Sequence, residues 1–192
     1  MATSIEIAKR LSNLYCPLSE TSLNALAAIL IRQQYSKGVR VLDEGDICRW
    51  MMFIEKGMLR QFYMKHGKDV TEHFGYENGI VMCLQSLINQ EPTHLMVESL
   101  EETVLWQIPR QDLEQLSEKY ADISTLYRRI YEESLIVSQI KADALRFENA
   151  MGKYNKLLEM YPEIPLRAPL IYIASYLQMS PETLSRVRAS LI

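Results

Sequence analysis

The sequence predicts an α+β fold: an N-terminal β-roll of jelly-roll type with flanking helices, one long helix, and a closing pair of short helices. Three observations predict it. Short runs of β-branched and aromatic residues, separated by polar turns, occupy residues 32–108. From about Asp122 to about Asn149 there is no Pro or Gly, and apolar residues recur every seven positions. Residues 169–191 then divide into two amphipathic stretches around Gln178-Met179-Ser180.

In chain order, residues 5–15 and 20–31 read as helices separated by Pro17, with Ser19 as N-cap of the second. Residues 32–36 and 39–42 read as strands on either side of Lys37-Gly38, followed by a polar turn at Asp43, Glu44, Gly45 and Asp46. MMFIEKGMLRQFYM reads as a hairpin about Lys56-Gly57, and His66-Gly67-Lys68 is a second turn. HLMVESL and TVLWQI read as a further hairpin about Glu101-Glu102. Turns at this spacing point to a barrel or jelly roll. Residues 110–120 form a short amphipathic helix.

The long helix carries a seam. Ile123, Ile130, Val137 and Ala144 repeat every seven residues, with Leu126, Ile140 and Phe147 three positions further on and Glu133 interrupting that second row. Such a seam suits a two-helix coiled coil, so this is the expected dimerisation helix. Tyr127, Tyr131 and Leu135 make a second stripe, which lets the same helix also pack on its own β-roll. Beyond Gly152 one more helix runs to Pro162 and Pro165. The expected units are a sensor domain at 1–120, the dimerisation helix at 121–150 and a C-terminal domain at 151–192.

Composition narrows the function. Of 192 residues, 48% are hydrophobic and 23% charged, as in globular proteins. No apolar run reaches the ~18 residues of a membrane span, and no signal peptide is evident, so a cytoplasmic protein is expected. Cys16, Cys48 and Cys83 are too scattered for a disulfide framework or an iron–sulfur cluster. His66, His73 and His94 include no closely spaced pair for a metal-dependent enzyme, and His73 and His94 stand alone as haem-ligand candidates. With no phosphate loop and no nucleophile elbow, neither an enzyme nor a bound cofactor or metal is expected. The net charge of −3 conceals an asymmetry: residues 151–192 hold five basic and three acidic residues, net +2, against −5 elsewhere.

Residues 169–191 have helix-turn-helix spacing. Ile171, Ala174 and Leu177 are placed to face inward from the first helix, and Ala174 is small where two helices cross. Ser180 is placed as N-cap and Pro181 as the first residue of the second helix, from which Leu184, Val187 and Leu191 face the first. Glu182, Thr183, Ser185, Arg186 and Arg188 then point outward. Arg186 can donate two bonds to guanine, Glu182 can accept from a cytosine amine, and Ser180, Thr183, Ser185 and Arg188 suit bases or phosphates.

The segment IASYLQMSPETLSRVR closely resembles the recognition segment IASYLGITPETLSRIR of Crp/Fnr-type regulators. The order of elements resembles that family along the whole chain. The resemblance implies a cyclic-nucleotide-binding-like sensor domain and a homodimer reading a palindromic site on double-stranded DNA. It also implies RNA polymerase as a partner and a small-molecule effector at the β-roll. Three departures stand out: Gln178 replaces a frequent Gly, Pro181 stands where many members place a base-contacting Arg, and the family's β-hairpin wing is expected to be absent or reduced. A degenerate ligand-binding or protein-interaction module without DNA binding is the alternative.

The family's nucleotide cassette uses a Glu for the ribose and an Arg for the cyclic phosphate. Aligned to residues 78–98, its Gly-Glu falls on Met82-Cys83 and its Arg-Ser-Ala on Thr93-His94-Leu95, and no Arg lies between Arg60 and Arg110. A buried phosphate without a paired cation is unfavourable, so tight binding of cAMP or cGMP is not expected. Met82, Cys83, Leu84, Leu95 and Met96 are the candidates for an apolar effector pocket, with ordinary core as the other reading.

Overall fold

The computed structural model describes residues 2–190. Two helices lead in: α1 (Ser4–Tyr15), opened by a Thr3–Glu6 capping box, and α2 (Glu20–Ile29), capped by the Ser19 hydroxyl accepting from the Ser22 N–H. Ile31, expected as the end of the second helix, instead begins a strand and pairs with Gln107.

Eight strands and one short helix follow: β1 (Ile31–Tyr35), β2 (Arg40–Leu42), β3 (Trp50–Lys56), β4 (Met58–Lys65), β5 (Lys68–Tyr76), β6 (Ile80–Val81), α3 (Leu84–Asn89), β7 (Met96–Ser99) and β8 (Thr103–Pro109). They make two antiparallel sheets, ordered β1-β8-β3-β6 and β2-β7-β4-β5. The sheets enclose a core that includes Met51, Phe53, Leu59, Val97, Leu105 and Ile108.

The β4–β5 pair is a hairpin closed by Lys65 opposite Lys68. The hairpins expected at Lys56-Gly57 and Glu101-Glu102 are instead crossings from one sheet to the other: β3 pairs with β6 and β8, while β4 pairs with β5 and β7. Gly57 explains how. Its φ is +100°, and a Cβ there would lie 2.5 Å from Thr103 Oγ1. The two crossings therefore press backbone against backbone, which only glycine permits.

The helical half comprises α4 (Arg110–Lys119), α5 (Ala121–Phe147), α6 (Ala150–Met160), α7 (Ile164–Arg167), α8 (Leu170–Tyr176) and α9 (Pro181–Ala189). The expected seam of α5 divides in two. Ile123, Leu126 and Ile130 are buried in the β-roll core of their own chain, so they are not available to a second copy. Ile140 and Phe147 remain exposed, Phe147 at 79%, with Val137 and Ala144 half-buried between them. The β-roll covers only the first half of the helix.

The α6–α9 segment has its own small core, which includes Tyr154, Leu157, Ile164, Ile173, Leu177 and Leu184 and extends onto Met58 and Phe74 of the β-roll. Its α8 lies against β5. Ser175 accepts from the Thr71 N–H at 2.9 Å and donates to the Asp69 carbonyl at 3.1 Å. Arg60 anchors the junction. Its side chain is 1% exposed, donates to Asp69, Thr71 and Glu98, and lies between the rings of Phe62 (3.9 Å) and Tyr172 of α8 (3.5 Å). Arg167 adds a second tie, with two bonds to Glu77 and another to Glu101.

Replacing Arg60 by Ala removes the cation shared by Asp69 and Glu98 and leaves Glu98 only the longer contact to Arg40 at 3.8 Å. Urea unfolding of Arg60→Ala is expected to show a loss of about 3 kcal/mol, as for other broken buried ion pairs. A loss under ~1 kcal/mol would mean that water satisfies these carboxylates equally well.

Candidate functional site

The first candidate surface is the outer face of α9. Ser180 opens the helix, its hydroxyl accepting from the Thr183 N–H at 3.2 Å. Pro181 follows at the first helical position, where its missing N–H has no cost. Gln178, in the turn before it, has φ +53°. This is the left-handed backbone that favours glycine, and a Gln there costs on the order of 1 kcal/mol.

Leu184 and Val187 turn inward onto α8 and α6, while Glu182, Ser185 and Arg186 are exposed and Thr183 and Arg188 half-buried. The Ser180 side chain lowers the pKa of Glu182 through a hydrogen bond, so its carboxylate stays charged. Arg186 reaches Thr183 Oγ1 at 3.4 Å and makes no ion pair among the described residues. One expectation fails on α8: Ile171 is 61% exposed, and the inward positions are Ile173, Ala174, Tyr176 and Leu177. The helix is rotated because a second surface, β5, competes for its apolar face. The expected inward position Leu191 lies outside the described residues.

The second candidate is a cavity of about 600 Å³ between β5, β6, the start of α3, α5 and the end of α6. Of the five residues expected to line a pocket, Met82, Leu84 and Leu95 do so. Cys83 and Met96 do not line it and are buried. The Gln61 amide donates to the Met82 carbonyl and to Cys83 Sγ, holding that corner closed. Sequence reasoning missed the rest of the wall, including Tyr15, His73, Tyr76, Glu133, Lys141 and Tyr161. These come from four separate segments. The one local signal was Lys141, a charge beside Ile140 on an otherwise apolar helix face.

Polar groups on the wall are mostly engaged. Lys141 donates to Glu72 Oε1 at 2.6 Å and to the Glu72 carbonyl, and sits 4.9 Å over the Tyr176 ring. Arg167 holds Glu77 below the usual carboxylate range against the effect of its burial. His73 is pushed down to about 4, first by burial and then by the charge of Lys141, so it is neutral near pH 7. Its ring stands edge-on to Tyr161 at 6.1 Å. Lys141 is the one lysine or arginine on this wall and is already paired with Glu72. Among the described residues no cluster of three or more His, Cys, Asp or Glu could hold a metal ion. His94 stands apart, edge-on to Tyr63 at 5.7 Å.

Residues 32–120 match the cyclic nucleotide-binding domain family. No curated protein matches the chain. Solved structures do. FixK2 from Bradyrhizobium japonicum superposes with a TM-score of 0.73 at 19% identity, over 85% of this chain and 84% of that one. The c-di-GMP-responsive global regulator CLP of Xanthomonas campestris gives 0.68 at 16% identity, over 90% and 91%. A Eubacterium rectale protein assigned to the Crp/Fnr family of regulators gives 0.67 at 16% identity, over 91% and 83%. At these identities the likeness is one of fold.

Sheet order, cavity and family match together define a β-roll of the cyclic nucleotide-binding type. With the helices that follow it, the chain has the fold of the Crp/Fnr-type transcription regulators.

His73 links the cavity to pH. The unfolded chain protonates His73 near 6.5, whereas the folded chain resists until about 4. Stability from this group is therefore complete above 6.5 and falls as pH drops through that window, by about 3 kcal/mol at its lower end. Urea unfolding between pH 7 and 5 should show this decline, and His73→Asn should flatten it. An equal slope in the variant would assign the decline to other groups.

Proposed function

We propose that the chain is a homodimeric regulator that reads double-stranded DNA with α9, one recognition helix for each half of a palindromic site. The observation that carries the proposal is the outer face of α9, where Glu182, Ser185 and Arg186 are exposed on a helix capped by Ser180 and braced from behind by Leu184 and Val187. In this reading Arg186 and Glu182 contact base edges, and Ser180, Thr183, Ser185 and Arg188 contact bases or phosphates. Residues 1–120 are the sensor unit, 121–150 the dimerisation helix and 151–192 the DNA-binding unit. The dimer seam is the later half of α5, Val137, Ile140, Ala144 and Phe147, joined by Ile136, which is 59% exposed. The described helices include none long and apolar enough to cross a membrane, and the proposed compartment is the cytoplasm. Gating acts through the β-roll cavity, whose walls also carry contacts to α8 and α7.

Genomic fragments selected on the purified protein at near-physiological salt should yield a palindromic motif. Arg186→Ala should weaken binding to that motif by about 1–3 kcal/mol and relax one position in each half-site. If neither protein selects any sequence, with or without cell extract, the chain is an interaction module and not a DNA reader. Ile140→Glu with Phe147→Glu should convert the dimer to a monomer in sedimentation while leaving the melting temperature within a few degrees. A dimer that survives both charges would place the interface elsewhere.

A further inference from the structure

The charges on the cavity wall do not balance. Three carboxylates line it, Glu72, Glu77 and Glu133, against Lys141 alone. Lys141 is paired with Glu72 at 2.6 Å, and Glu77 is held by Arg167. Glu133 makes no hydrogen bond or ion pair among the described residues, and His73 contributes no charge near neutral pH. The remaining wall combines apolar side chains (Leu84, Leu95, Ile130, Val137) and tyrosines with neutral polar groups such as Gln61, Gln85 and Ser134. Tyr161 is the centre of the aromatic group, with Tyr76 edge-on at 6.3 Å and His73 at 6.1 Å. Tyr15 completes the wall from the end of α1.

An anion brought here meets a free carboxylate and no free cation. A cation meets the opposite: the exposed, unpaired carboxylate of Glu133 on a wall that also carries Tyr15, Tyr76 and Tyr161, and carboxylate and aromatic rings together attract ammonium groups. We propose that the cavity binds an organic cation, an amine or quaternary ammonium carried on an apolar, ring-sized body, with its charge at Glu133 among Tyr15, Tyr76 and Tyr161. Glu133 is close enough to act on two of these rings. Tyr15 is pushed up by burial and then by the Glu133 charge, and Tyr161 by burial, then Tyr76, then Glu133. A volume of about 600 Å³ accommodates such a molecule. The proposal specifies the ligand for the gating cavity and rests on that reading only for its consequence. Binding itself needs no DNA.

The test is titration calorimetry on the full chain at neutral pH. The probes are tryptamine and phenethylamine, each beside its neutral alcohol (tryptophol, 2-phenylethanol) and its carboxylate counterpart (indole-3-propionate, 3-phenylpropionate), with cAMP as a further arm. The amines are expected to saturate, to bind about tenfold tighter than the alcohols, and to leave the carboxylates and cAMP weakest. Glu133→Gln should bring each amine down to its alcohol without changing alcohol binding or the melting temperature. Tyr161→Leu should weaken the amines more than the alcohols. The proposal is overturned if no amine saturates at low millimolar concentration, if a carboxylate or cAMP binds best, or if Glu133→Gln leaves the amine preference intact. Because no arm contains DNA, its failure is distinct from failure of the regulator reading.

Discussion

The guanidinium of Arg60 is the constraint on which the domain arrangement depends. A charge that is 1% exposed is tolerated only when nearly every donor is matched, because its loss of hydration is otherwise uncompensated. Here β5 supplies Asp69 and Thr71, β7 supplies Glu98, and β4 supplies Phe62 beneath the guanidinium plane. The other face of that plane would still meet water. Tyr172 covers it at 3.5 Å, and Tyr172 belongs to α8. The sheet's own electrostatics thus place the first of the two closing helices, and Ser175 then fixes α8 through backbone bonds to Asp69 and Thr71. With α8 held, Leu184 and Val187 dock α9 behind it and its polar face is left outward.

Helix α5 extends this logic along the chain. Its first turns are core of the β-roll through Ile123, Leu126 and Ile130, so they move with the sheets. Its later turns leave the β-roll, and Ile140 and Phe147 reach solvent. A single uninterrupted helix of 27 residues joins the two environments. The cavity wall includes Ile130 from the buried turns and Lys141 from the later ones, so the helix that lines the cavity also carries the exposed Ile140 and Phe147. Lys141 also touches α8 directly through the Tyr176 ring.

How much of this was legible in the sequence varied with the range of the interaction involved. Local chemistry could be read: the caps at Ser19 and Ser180, the three-residue turn with its strained Gln178, the His66-Gly67 hairpin and the extent of α5 all follow from neighbours in sequence. What depended on distant partners could not. Lys56-Gly57 signals a change of direction but not whether the next strand stays in the same sheet, and Thr103 decides that from 46 positions away. Ile171 has the spacing of an inward residue, but β5 rotates the helix that carries it. The heptad seam of α5 runs the length of the helix in sequence with Glu133 as its one break, although two different surfaces can claim it. Arg60 reads as an ordinary strand charge until three strands and a helix converge on it. The cavity was partly visible through Met82, Leu84 and Leu95, whereas its charged and aromatic walls are assembled from separate segments.

Inherited shape and local charge point in different directions at the cavity. The β-roll matches a family named for cyclic nucleotides over residues 32–120, yet at the cassette positions Cys83 is buried beside the Gln61 amide and Thr93 is buried in turn. A fold is maintained by its core, which tolerates a changed ligand as long as packing is kept, whereas a binding site is defined by a few charges that can change independently. Here the core is complete and the anion-binding charges are missing. Two of the three acidic groups that line the wall are engaged in structural work, Glu72 with Lys141 and Glu77 with Arg167, and both pairs join the β-roll to helices outside it. Glu133 lies about two helical turns before Lys141 on the same helix and has no such partner among the described residues. On this wall the unpaired charge is acidic, whereas a phosphate ligand calls for a free cation.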